Sequence, residues 1–197
     1  MTTRELRGCY NISMLILNKA LINTPVMSLQ TGGQLGATSG CIIDPRKMQV
    51  VALYVGGPRI HEESVLHTAD IREVGPLGLI VNDADDIMPI DEGLVRLQEV
   101  MAMNFSLTDK LVIDDTKKKL GKVIEYTVDS ESFVIRKLHV GQSLLKNISN
   151  SSLLIDRSQI IEITDKAIIV RSASIPETTG LAQLVNPFRK TSSLGTE

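Results

Sequence analysis

Short apolar runs separated by turn residues dominate this chain. Pro25–Leu29, Ala37–Ile43 and Gln49–Val55 have the length and residue types of strands, and Gly32-Gly33 and Asp44-Pro45 mark the turns between them. Further on, Ile71–Val74 and Leu79–Val81 flank Gly75-Pro76 as a tight hairpin, and Ile160–Ile163 and Ala167–Val170 flank Thr164-Asp165 in the same way. One segment has a different period. Ile90, Leu94, Leu97 and Met101 recur at helical spacing, which predicts a helix over Asp91–Asn104 with Asp91 at its N-terminal cap.

The pattern occurs twice. Without a gap, Ala20–Gly56 aligns with Phe105–Gly141, with identities at Leu35/Leu120, Gly36/Gly121, Asp44/Asp129, Leu53/Leu138, Val55/Val140 and Gly56/Gly141. The same alignment sets Val26 against Leu111 and Met27 against Val112. A slightly larger offset aligns Ala69–Val81 with Ser158–Val170. We therefore expect a mainly β protein with two similar domains, 14–81 and 104–175, an acidic linker and helix at 82–103, and a mobile tail at 176–197. Met14 is expected to lie close to the structural start. Five or six strands in so short a unit satisfy their edges best by curling into a small, closed or nearly closed barrel filled by side chains.

Each copy resembles a PRC-barrel, the β-barrel domain of the photosynthetic reaction centre H subunit and of the C-terminal half of the ribosome maturation factor RimM. The likeness rests on Pro25-Val26-Met27-Ser28-Leu29, Leu35-Gly36, the strand ending at Asp44, and Val50-Val51-Ala52-Leu53-Tyr54-Val55. In the second copy it rests on Leu120-Gly121-Lys122-Val123-Ile124, Asp129 and Leu138-His139-Val140. The resemblance implies two tandem PRC-type barrels joined by a short helix, acting as a non-enzymatic scaffold that docks on protein partners. RimM suggests a second reading, an RNA- or ribosome-associated assembly factor.

Composition narrows the chemistry. A net charge of -2 excludes a polybasic arm, and 3% aromatic residues leave little from which to build base-stacking platforms. Cys9 and Cys41 form no CxxC pair or disulfide framework, which fits a reducing cytoplasm. The interrupted apolar stretch at Met14–Ile22 is too short to span a bilayer, so no membrane insertion is expected. His61, His67 and His139 lie too far apart in sequence to suggest zinc. The acidic run from Asp83 has Met88 and Leu94 where a calcium loop needs Gly and Glu, and reads as solvated linker.

Asp44 and Asp129 read as turn carboxylates, and Gly32-Gly33-Gln34-Leu35-Gly36 opens onto a strand, unlike a phosphate cradle. No catalytic residue, cofactor or metal site is expected. The candidate partner-binding residues are Tyr54 and His139, at equivalent positions that strand alternation turns outward, and the lysine hairpin Lys117, Lys118 and Lys119. The sequence is also compatible with a homo-oligomer.

Overall fold

Where one face of a strand packs inward, alternating side chains fix its register, and the two halves of this chain each build a hydrogen-bonded sheet on that rule. The computed structural model describes residues 14–58, 60, 64–92, 95–141, 152–171 and 177–178. After β1 (Leu15–Leu17) come β2 (Pro25–Ser28), β3 (Gln34–Asp44), β4 (Gln49–Gly56), β5 (Ser64–His67), β6 (Glu73–Gly75), β7 (Gly78–Val81) and β8 (Ile87–Pro89). The last seven form a sheet in the order β6-β7-β2-β3-β4-β5-β8. Helix α1 (Val95–Ala102) follows.

The second half contains β9 (Leu111–Asp114), β10 (Lys119–Asp129), β11 (Ile135–Gly141), β12 (Ser152–Asp156), β13 (Ile160–Ile163), β14 (Ala167–Val170) and β15 (Glu177–Thr178). Their order is β13-β14-β9-β10-β11-β12-β15, with β1 added to β10. The protein is mostly β. Among the described residues both ladders are open at their ends, so of the closed or nearly closed barrels expected from the sequence, the closed form is not built by strand pairing.

The halves match bulge for bulge. Thr38 pairs with Val55 and Gly40 with Tyr54, leaving Ser39 unopposed; Val123 pairs with Val140 and Glu125 with His139, leaving Ile124 unopposed. A second irregularity falls between Ile42 and Ile43 in one half and between Thr127 and Val128 in the other. Leu35 and Leu120 are the bulged residues opposite β2 and β9. The glycine after each lies against the next strand: a Cβ at Gly36 or Gly121 would collide with the carbonyl oxygen of Gly56 or Gly141, respectively. The repeated Leu-Gly pair is thus a bulge residue followed by a close backbone approach.

In the first strand the sequence alignment is off by one. Val26 pairs with Gly36, whereas the residue opposite Gly121 is Val112, not Leu111. Val26 and Val112 are both fully buried and are the structural equivalents. Both copies have two adjacent apolar residues here, so the pattern tolerates a slip that side-chain burial does not.

Two boundaries also change. Leu15–Leu17 pairs with Asp129–Thr127 of the second sheet instead of its own half. The expected acidic linker contributes β8 to the first sheet, paired Ser64 to Pro89 and Leu66 to Ile87. The predicted helix is shorter, Val95–Ala102, preceded by a 3-10 turn at Ile90–Glu92. Of the expected mobile tail, Glu177–Thr178 is a strand on β12, and the rest lies outside the described residues, as do residues 1–13.

Buried apolar side chains of both halves, among them Val26, Val50, Leu53, Leu79, Val112, Ile135, Leu138 and Ile168, belong to one contiguous cluster. The separate interiors expected for two domains therefore form one cluster, which also includes Ile16, Leu21, Met48, Tyr126 and Phe133. A smaller cluster lies under α1, where Leu97 and Val100 meet Ile42, Ala52 and Val65. At roughly 1.5–3 kcal/mol for each large apolar side chain removed from water, burial in this cluster contributes to the stability of both halves.

Candidate functional site

The junction between the halves is built from equivalent residues meeting each other. Met48 and Phe133, matched in the repeat, both have left-handed backbones, with φ of 49° and 55°, and both are buried. The Val50 N–H donates to the Phe133 carbonyl at 2.9 Å, and the Ile135 N–H donates to the Met48 carbonyl at 2.8 Å. Gln49 and Val134 form an antiparallel bridge between these two bonds. Reciprocity of this kind is the signature of an isologous, two-fold-related contact. On either side, β1 reaches from the start of the first half onto β10, while α1, which precedes the second half, packs on β3 of the first.

Cys41 and Tyr126 are equivalent too, and each side chain affects the protonation of the other, with Asn18 lowering the Tyr126 phenol. Burial is the main reason the Cys41 thiol is pushed up to about 11, so it stays protonated and is a poor nucleophile. Burial likewise drives the Tyr126 phenol well above its ordinary range, a position that suits packing and not proton transfer.

Away from the junction the halves diverge. Leu53 and Leu138, Val55 and Val140 point inward in both. On the opposite face of the first sheet Ile42, Ala52, Val65 and the half-buried Tyr54 pack beneath α1. Tyr54 is therefore part of a helix–sheet contact, not a protruding ring. The matching face of the second sheet is polar. Continuous register sets Glu125 beside His139 and Thr127 beside Lys137, with Leu154 and Asp156 on the next strand.

His139 lies on the face opposite Leu138, as alternation predicts, but at 6% exposed it is covered there and is not an accessible residue. Among the described residues neither its Nε2 nor the Thr127 hydroxyl, both buried, has a hydrogen-bond partner. Burial first, then the charges of Lys137 and Lys19, hold the His139 imidazole below its ordinary value. Lys19 Nζ lies 3.7 Å from Glu125 Oε2; burial raises the Glu125 carboxyl while Lys19 pulls it back.

The turn carboxylates are structural. Asp44 Oδ1 accepts from the Arg46 N–H at 2.9 Å and from Arg46 Nε at 3.1 Å; burial works to raise this carboxyl, but the Arg46 bonds and charge hold it below the usual range. Asp129 Oδ1 accepts from the N–H of Ser132 at 2.9 Å and its hydroxyl at 2.8 Å. His67 caps a 3-10 turn, its Nδ1 accepting from the Ala69 N–H, and Asp83 and Asp86 cap the turn at Ala84–Asp86. His61 lies outside the described residues. Among the described residues no group of three His, Cys, Asp or Glu is placed to hold a metal ion, and no helix is long and apolar enough to cross a membrane.

The lysine hairpin closes β9 onto β10. Asp114 organises it, its Oδ1 accepting from the Thr116 N–H and hydroxyl and from the Lys118 N–H. Lys117 takes the left-handed conformation, φ 66°, that Gly32 takes at φ 67° in the first half. Lys117, Lys118, Lys119 and Lys122 are all exposed. The structure thus separates the predicted candidates: the lysines form one accessible edge, Tyr54 lies under the helix, and His139 is buried in the second sheet. Sequence reasoning missed Ile124, which is 49% exposed on the β10 bulge. The signal was the adjacent apolar pair Val123-Ile124, which cannot alternate in a regular strand. No protein-family model matches the chain, and no curated protein matches it.

Proposed function

We propose that this chain is a non-enzymatic adaptor made of two PRC-barrel-like units, working in the cytoplasm by bringing protein partners onto its outer surfaces. One observation carries the reading. Residues at the junction are matched pairwise between the halves, Met48 with Phe133 and Val50 with Ile135, whereas the exposed hairpin and bulge surfaces have diverged, Lys117, Lys118 and Ile124 standing where the first half has Gly32, Gly33 and Ser39. A duplicated body with a kept junction and altered faces suits presentation of two different surfaces from one rigid frame. The half-buried packing of Cys41 against the core and the capping use of Asp44, Asp83, Asp86 and Asp129 give these side chains structural work.

The test is native co-purification of the tagged full chain. A stoichiometric protein partner, released when Lys117, Lys118 and Lys119 are changed to Glu or when the α1 surface is altered, supports the reading; repeated recovery of the bare chain overturns it. The four exposed lysines favour one other reading, an RNA- or ribosome-associated assembly factor. That reading requires nuclease-sensitive co-purification of RNA and a steep loss of binding with salt.

A further inference from the structure

The second half carries a basic edge that the first lacks. Lys117, Lys118, Lys119 and Lys122 are exposed along the hairpin and the start of β10, and the corresponding places in the first half hold Gly32, Gly33, Gln34 and Ala37. Among the described residues the ion pairs engage Lys19, Arg46 and Arg136, not these four lysines. Asp115, exposed in the same turn, offsets only part of their charge.

Beyond Lys122 the strand presents Ile124 on its bulge, where the first half has Ser39. A bulge re-aims the side chain it carries. Ile124 is 49% exposed and lies against Gly141, where an added Cβ would come within 2.9 Å of its Cγ2. The missing side chain at Gly141 therefore leaves room for Ile124 to lie against the backbone of β11.

Resting on the adaptor reading, we propose that Lys117–Lys119, Lys122 and Ile124 together form a docking edge for an acidic segment of a partner protein, one that lays an apolar side chain on Ile124 and carboxylates against the lysines. Charge complementarity selects the sign of the partner and speeds encounter. The isoleucine selects a protein over a nucleic acid. A phosphate backbone gains nothing from an exposed aliphatic group, and Tyr126, the aromatic side chain of β10, is buried and offers no face for a base to stack on.

The full chain is titrated with a short labelled peptide of Glu and Asp around a central Leu, with the same peptide carrying Ser in place of Leu, and with a uridine oligonucleotide. We expect the Leu peptide to bind best, weakened about tenfold by Lys117→Ser/Lys118→Ser/Lys119→Ser and by raising salt. Ile124→Ser is expected to weaken the Leu peptide about threefold or more while leaving the Ser peptide unchanged. Equal binding of both peptides to the wild type, tighter binding of the oligonucleotide, or no binding of either peptide overturns the proposal. If a stoichiometric protein partner still co-purifies in any of these cases, the adaptor reading stands without this edge.

Discussion

Gln49 and Val134 face each other at the centre of the junction, bracketed by the Val50-to-Phe133 and Ile135-to-Met48 hydrogen bonds. Bonds that flank a pair, instead of joining it, mark a non-hydrogen-bonded antiparallel pair, whose Cα atoms approach to about 4.5 Å. That spacing accommodates a disulfide.

In a background with Cys9 and Cys41 changed to Ser, Gln49→Cys/Val134→Cys is therefore expected to form an intrachain disulfide on folding. Non-reducing electrophoresis and peptide mapping would detect it. The long loop it closes gives a stabilisation of up to about 4 kcal/mol on the chain-entropy argument. Failure to oxidise in the folded protein, with both thiols reactive, would show that the halves do not meet through these residues.

Because Leu53 and Leu138 belong to one cluster, the halves should unfold together. Leu53→Ala and Leu138→Ala, each at a fully buried position, are expected to cost about 2–5 kcal/mol. Both should lower the same single transition in denaturant or calorimetry. Two transitions, each moved by only one of the substitutions, would mean that the halves are independent domains.

The β character and the duplicated hairpins were readable from the chain because period-two burial leaves its mark on composition. Ser64–His67 escaped notice for the opposite reason: Ser64, Val65 and Leu66 are all buried, so nothing alternates. The slip at Val26 arose because Val26-Met27 and Leu111-Val112 are both apolar pairs. The exchange of β1 onto β10, the cover of Tyr54 by α1 and the burial of His139 depend on contacts between distant segments, which no local period records. The lysines were readable as a cluster, but Ile124 became a candidate only when register showed it unopposed.

Lys117 holds a left-handed backbone at an exposed turn where its counterpart Gly32 is glycine. A non-glycine residue there is strained by about 1–2 kcal/mol, partly offset by the smaller entropy it loses on folding. Lys117→Gly is expected to stabilise the protein by up to about 1 kcal/mol. Gly121→Ala should do the reverse by about 2 kcal/mol or more, since φ is 147° there and the new Cβ would strike the Gly141 carbonyl. Chemical denaturation of the two variants side by side checks both signs. Equal effects would remove the conformational argument.

His139 makes stability pH-dependent in a definite direction. Its folded imidazole is held below its ordinary value by burial and by the neighbouring Lys137 and Lys19, so below about pH 6.5 the unfolded chain takes up a proton that the folded chain resists. Unfolding then gains a proton, and stability declines as pH falls from about 6.5 towards the lowered folded value, by at most about 1.4 kcal/mol per pH unit. Asp44 and Asp156, whose carboxyls lie below the usual range, add losses only nearer their own ordinary values, and the raised Glu125 acts in the opposite sense. The difference between wild type and His139→Gln cancels all three. That difference should be flat above pH 7 and should shrink or reverse in favour of the variant between about pH 6.5 and 5.5; a difference that does not move with pH would place the titrating imidazole elsewhere.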